Sequence, residues 1–189
     1  MKYQILKEDI LFDDFFQIKK AKITHDLFNG DTVDVERFCF ERGDSVAILL
    51  YEKDTDSLLF TKQFRYPTIK ETDGWILELT AGSIEPNEEP EHRVLKEVEE
   101  EIGYQVNNIE FISSFFVSPG GTSERIFLYY SEVTASNKVF EGSGMINEKE
   151  DIQLVKIKTQ EVFDLTKKNH FQDAKTLIGI QWFMANKIS

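Results

Sequence analysis

The 189-residue chain predicts an α+β fold, or a three-layer α/β sandwich, in which a central sheet carries helices segregated from it. Three observations carry that expectation. Segments of strand length and strand composition recur from the N-terminus to about residue 158, separated by turn signals. One densely charged helical pattern interrupts them at 89–102, and two more helical patterns close the chain. With 41% hydrophobic residues and sixteen Phe, one domain of this length can fill a sizeable core, so disorder is not expected.

Residues 3–35 read as short β-prone pieces, broken by the turn signal Asn29-Gly30-Asp31 and resumed as TVDVERFCF. Such a hairpin or small sheet packs either on its own domain or on a second subunit, and the pattern leaves that alternative open. SVAILLYEK and SLLFTKQFRYP, joined by the Asp54-Thr55-Asp56 turn, predict two buried neighbouring strands, the second ended by Pro67. WILELTAG predicts a third strand running directly into Gly82. A helix over 89–102 follows, closed by Gly103 as C-cap. NIEFISSFFVS and RIFLYYSEV, separated by Pro119-Gly120-Gly121, are two further strands. The polar stretch 137–151 predicts a mobile loop, after which come the strand DIQLVKIK and the helices TQEVFDLTKKN and DAKTLIGIQWFMAN.

A formal net charge of -12 repels a phosphate backbone, and with no Lys/Arg cluster nucleic acid is not an expected partner. Cys39 is the single cysteine, so no internal disulfide framework is expected, and its apolar FCF context predicts a buried, inert thiol in a reducing compartment. The start, MKYQILKEDI, lacks the long apolar segment of a secretory signal and no run approaches a membrane span, which makes the cytoplasm the expected location. His25, His92 and His170 have no second ligand beside them in sequence and read as surface or structural residues.

Residues 82–104 concentrate eight glutamates into 23 positions. On a helix, Glu97, Glu100 and Glu101 stand at i, i+3 and i+4 and share one face, while Leu95, Val98 and Ile102 fall on another that docks onto the sheet. Glu97 and Glu101, like charges one turn apart, destabilise an isolated helix by a few tenths of a kcal/mol (~0.2–0.5), and Arg93 and Lys96, each four residues before a glutamate, relieve part of this. Two readings compete: a solvated acidic face, or a site for a hard divalent cation such as Mg²⁺, which binds one or two carboxylates together with substrate phosphates. The second gains from the strand that delivers Ala81-Gly82 beside the helix, because glycine lets the backbone approach a ligand closely.

Gly82, five residues, Glu88, seven residues, Lys96-Glu97-Val98, one residue, Glu100-Glu101, one residue and Gly103-Tyr104 resembles the Nudix box, the signature of the Nudix hydrolases. The chain departs from it at Lys96, where the family usually has an arginine that braces a helix glutamate, and lysine lacks the planar bidentate fork. Outside the box, Arg37, Phe40-Glu41-Arg42-Gly43, Gln63-Phe64-Arg65, the stretch 75–82 and the stretch 118–125 resemble the ADP-ribose pyrophosphatase branch, with Pro119 as the proline about fifteen residues past the box. GDP-mannose hydrolases of the same branch are similar, with their own Ser-Pro-Gly-Gly turn.

The resemblance implies a Nudix fold, an α/β/α sandwich around a mixed sheet over 41–189, with an N-terminal antiparallel sheet over 1–40 that dimerises. It implies Mg²⁺, with Mn²⁺ as the alternative, held by Glu97, Glu101, the Ala81 carbonyl and Glu100. It also implies a nucleoside diphosphate sugar as substrate, gripped by Arg37, Arg65, Ser83, Pro119 and Gly120, with Glu124 near the terminal ribose or the attacking water. The general base it implies is Glu148, with Glu150 and Glu100 as alternatives. ADP-ribose, giving AMP and ribose 5-phosphate, is the first expectation, and GDP-mannose, giving GMP and mannose 1-phosphate, the second. A non-catalytic nucleotide-binding module and an acidic helix that binds a basic partner are the readings from other classes.

Overall fold

The computed structural model describes residues 1–142 and 151–187, which divide into two compact units. The N-terminal unit is Met1–Asp44 with Phe116–Arg125, and the larger unit is Ser45–Phe115 with Ile126–Ser189. The N-terminal sheet expected over 1–40 thus belongs to a unit that reaches Asp44 and takes in a later segment.

In the N-terminal unit, β1 (Tyr3–Asp13), β2 (Gln17–Asp26) and β3 (Thr32–Glu41) form an antiparallel sheet in that order. The Asn29-Gly30 signal closes the second hairpin, with the Leu27 amide donating to the Asp31 carbonyl at 2.7 Å. Segment 116–125 is fastened to β3 by bonds from the Phe40 amide to the Gly121 carbonyl and from the Ser123 amide to the Phe40 carbonyl. Cys39, expected to be buried, is only half-buried, because a three-stranded sheet has no layer to cover each face fully. Apolar side chains of β1, among them Ile5, Leu6, Ile10, Leu11 and Phe12, are about half exposed.

The larger unit is built on β4 (Ser45–Glu52), β5 (Ser57–Phe64), β6 (Trp75–Glu78), β7 (Thr80–Ser83), β8 (Glu110–Phe116), β9 (Arg125–Val133) and β10 (Gln153–Lys158). The sheet order is β10-β5-β4-β9-β8, with β6 paired to β5 and β7 to β4. It is mixed: β4 and β9 are parallel, and the pairs β10/β5, β4/β5, β4/β7 and β5/β6 are antiparallel. Three helices accompany it, α1 (Pro90–Ile102), α2 (Thr159–Lys167) and α3 (Ala174–Asn186).

The apolar run of β4 is continuous because both faces of the sheet are covered. Val46, Ile48 and Leu50 point into a cluster with Val94, Val98 and Ile102 of α1; Ala47 and Leu49 point into a second with Val162, Ile180 and Phe183 of α2 and α3. Each such fully buried aliphatic side chain contributes about 1.5–3 kcal/mol. The result is the α/β/α sandwich. WILELTAG is two strands rather than the single one expected. β6 pairs with β5 and β7 with β4, and between them the fully buried Leu79 donates its amide to Thr176 Oγ1 of α3 at 3.0 Å.

Where the box ends, Tyr104 is fully buried and its hydroxyl donates to Glu52 Oε1 at 2.6 Å. Lys156 Nζ donates to the same oxygen and Thr55 Oγ1 to the other, both at 2.6 Å. Burial pushes the Glu52 carboxyl up, but its bonds from Lys156, Thr55 and Tyr104 more than reverse this and hold it below its ordinary 4.5. The sign follows: a depressed folded value gives stability that is complete above the unfolded carboxyl range and is lost as pH falls through the folded value. Glu52→Gln is therefore expected to flatten the dependence of the urea midpoint on pH below about 4.5 while lowering the midpoint at pH 7.

Candidate metal and diphosphate site

The helix α1 begins with Pro90 at a position where a missing N–H costs nothing and ends at Gly103, whose φ of 70° is left-handed. It docks through Val94, Val98 and Ile102, all fully buried, whereas the expected Leu95 is only half-buried. Turning that stripe toward the sheet carries two carboxylates inward with it. Glu97 and Glu101 are 6% and 3% exposed, which disposes of a solvated acidic face for these two. Glu100 stays half-exposed, with Lys96 Nζ at 3.7 Å.

Glycine at position 82, on β7, is what allows Glu97 to lie where it does. A Cβ there would overlap the Glu97 carboxylate outright. Arg93 pairs with Glu97 one turn earlier on the helix, and both side chains are largely buried. Burial would pull the Arg93 guanidinium down; the charge of Glu97, with Glu88 and Glu100, pushes it up instead. The guanidinium that serves the box acids is thus Arg93, and the exposed Lys96 does not take that place.

Arg65 follows β5 and is fixed by a two-point fork on Glu78, Nε to Oε1 at 2.8 Å and Nη2 to Oε2 at 3.3 Å. Burial lowers its guanidinium and Glu78 more than restores it, with smaller contributions from Glu101 and Asp173. Glu78 itself is buried and also accepts from Lys175 Nζ at 2.6 Å. Glu78 lies within the resembling stretch 75–82, which assigns it no role, and Lys175 belongs to no motif legible in the sequence. The available signal is a lone acid in the apolar run WILELTAG and a lone lysine opening an apolar helix.

Ala81, Gly82, Ser83, Arg65, Glu97, Glu100 and Glu101 belong to the larger unit; Arg37, Pro119, Gly120 and Glu124 belong to the N-terminal one. Arg37 is exposed and donates to the Glu36 carbonyl at 2.9 Å, Glu124 has Arg42 Nε at 3.6 Å, and Ser118 accepts from the Gly121 and Thr122 amides across the Pro119-Gly120 turn. Ser83 is exposed at the end of β7. Glu148 and Glu150 lie outside the described residues. An open cavity of about 810 Å³ is lined by Lys62, Trp75, Lys138, Asp151 and Lys156, among others. Lys138 bridges to Tyr104, immediately past the box helix.

Among the described residues no three His, Cys, Asp or Glu side chains converge as a ready-made metal cage. The donors nevertheless suit a hard cation. Two buried carboxylates one turn apart supply oxygen only, and Mg²⁺ commonly takes one or two carboxylates and completes its shell with waters and substrate phosphates.

A NUDIX domain model matches residues 41–178, and the chain belongs to the Nudix family. It is 33% identical over 189 residues to an ADP-ribose pyrophosphatase of Haemophilus influenzae, covering 97% of this chain and 86% of that one. It is 32% identical over 186 residues to a GDP-mannose pyrophosphatase of Enterobacter sp., covering 96% and 95%. A crystal structure of an ADP compounds hydrolase shares the fold with a TM-score of 0.74 at 18% identity, covering 100% of this chain and 98% of that one. No helix among the described residues is long and apolar enough to cross a membrane.

The lysine and arginine partners of the box separate cleanly by burial. Arg93→Met takes the guanidinium away from a buried carboxylate and is expected to cost about 3 kcal/mol in urea unfolding, whereas Lys96→Met, losing an exposed pair, is expected to cost under about 0.5 kcal/mol.

Proposed function

We propose that the chain hydrolyses the pyrophosphate bond of nucleoside diphosphate sugars with Mg²⁺, acting first on ADP-ribose to give AMP and ribose 5-phosphate. The observation that carries this reading is the pair of buried glutamates, Glu97 and Glu101, packed beside Gly82 in a Nudix box. Buried carboxylates of like charge one turn apart are costly unless a cation accompanies them.

Glu97 and Glu101 hold the cation, with the Ala81 carbonyl and Glu100 as further oxygen donors. A cation held there would supply neutralisation of the diphosphate and polarisation of phosphorus, so that an acidic site could accept an anionic substrate. Arg65 offers its guanidinium to the phosphate oxygens, and Arg37, Ser83, Pro119 and Gly120 grip the remainder of the substrate. Glu148 takes the proton of the attacking water, with Glu150 and Glu100 as the alternatives, and Glu124 lies near the terminal ribose or that water. The water's hydroxyl joins one phosphorus, the P–O bond to the bridging oxygen breaks, and that oxygen leaves on the other phosphate and receives a proton.

GDP-mannose hydrolysis is the second reading, favoured by the GDP-mannose pyrophosphatase relative, which matches over nearly its whole length. A non-catalytic module is disfavoured by the complete set of box acids. We also propose a homodimer through the N-terminal sheet, in the reducing cytoplasm that suits a lone cysteine. Its support is β1, an edge strand with Ile5, Leu6, Ile10, Leu11 and Phe12 exposed, which in water calls for a covering surface.

With Mg²⁺, ADP-ribose is expected to show the highest kcat/KM in a panel that includes GDP-mannose and ADP-glucose; a much higher value for GDP-mannose would move the assignment to the second reading. Glu97→Gln is expected to cost on the order of 10²–10³-fold in kcat, and Gly82→Ala, which displaces the same carboxylate, on the order of 10²-fold. Unchanged turnover in either variant would remove the metal-site assignment. Ile10→Lys is expected to convert a two-chain mass to a one-chain mass in light scattering.

A further inference from the structure

We propose that Lys175, on the C-terminal helix and outside every motif, is a positioning residue that aims Arg65 at the substrate diphosphate by way of Glu78. The inference rests on the reading that this site takes a diphosphate.

Three layers of contact lead to it. First, the Arg65–Glu78 fork engages Nε and Nη2, which fixes the guanidinium plane, and among the described residues no hydrogen bond uses Nη1. The Arg65 side chain keeps 40% of its exposure, which leaves room for a ligand to meet it. Secondly, the carboxylate that sets the plane is buried, with Glu78 at 2% exposure, and its position is decided by what it meets inside. Lys175 Nζ lies 2.6 Å from Glu78 Oε2, the same oxygen that Arg65 Nη2 uses, and Lys175 is itself 8% exposed.

Thirdly, α3 is pinned where Lys175 leaves it. Asp173 caps the helix by accepting from the Thr176 amide at 3.0 Å and has Lys175 Nζ at 3.1 Å. Thr176 Oγ1 in turn accepts from the Leu79 amide, next to Glu78. The first turn of α3 therefore grips residues 78 and 79 together, and Glu78 passes that placement to Arg65. Two cations and two anions balance in this row, in which Glu78 and Lys175 are buried while Asp173 at one end keeps 18% of its side-chain exposure and Arg65 at the other keeps 40%. Deleting Lys175 removes the shorter of the two bonds to Glu78 Oε2 and frees the fork to turn.

The test is a double-mutant cycle of Lys175→Met and Arg65→Met in the full chain, read by calorimetric Kd for α,β-methylene-ADP with Mg²⁺ and by KM and kcat for ADP-ribose. Each single variant is expected to weaken binding by about tenfold, and the double variant to be no weaker than Arg65→Met alone, because Lys175 acts through Arg65. KM should follow Kd with kcat nearly unchanged, and Lys175→Arg should recover part of the loss. A lowered Tm with Kd unaltered, or losses that add in the double variant, overturns the proposal. Should Lys175→Met not fold, Glu78→Gln, which keeps the side-chain shape, takes its place in the cycle: a double variant no weaker than Arg65→Met supports the proposal, and additive losses overturn it. A non-additive Kd pattern without any turnover by the unmodified chain supports this inference and overturns the hydrolase reading.

Discussion

The close approach of the Glu97 carboxylate to the backbone at Gly82 governs the rest of the larger unit. It requires α1 to lie on the sheet in one rotational setting, since the same setting seats Val94, Val98 and Ile102 among Val46, Ile48 and Leu50. Apolar docking and carboxylate burial are therefore a single packing event. The hydrophobic gain of the stripe offsets the cost of taking Glu97 and Glu101 out of water, and Arg93 neutralises part of the charge. Packing thus holds both acids inside.

A second row of charge runs from Asp173 and Lys175 at the start of α3 through the buried Glu78 to Arg65. The two rows differ in sign at their functional ends: acids from α1, a guanidinium at the end of β5. Under the proposed function, a diphosphate with a divalent cation would present anionic oxygens to Arg65 and a positive centre to the glutamates. The Glu52 network is of another kind. Its carboxylate is fully satisfied by Tyr104, Lys156 and Thr55, and it ties the end of the box to β4 and β10.

Much of this was legible in the residues. The helix 89–102 begins one residue later than its pattern indicates, because Glu89 stands at the cap, and Gly103 closes it as the left-handed residue its position requires. SVAILLYEK reads as a strand buried on both faces, and it is. Other features were hidden because side-chain spacing does not report depth. Period and charge alone put the acids on a face apart from the docking stripe, whereas the wide apolar stripe rolls two of them inward. WILELTAG is uniformly strand-like, and nothing local reveals that its halves pair with different neighbours.

The order of residues by itself determined the Nudix box, the strand and helix segments apart from the break within WILELTAG, and the oxygen-only chemistry of the acids, since each depends on spacing within a few turns of chain. Tertiary structure decided which of these groups are buried and what they meet. The pairs Arg93–Glu97 and Lys96–Glu100 follow from spacing along the helix, but only the rotation of α1 buries the first and leaves the second exposed. Glu78, Lys175 and Arg65 became one row only when α3 folded back over residues nearly a hundred positions earlier in the chain, a distance no local pattern spans. Residues 82–104 therefore name the chemistry, and the packing of α1 and α3 on opposite faces of the sheet sets the geometry in which it is offered.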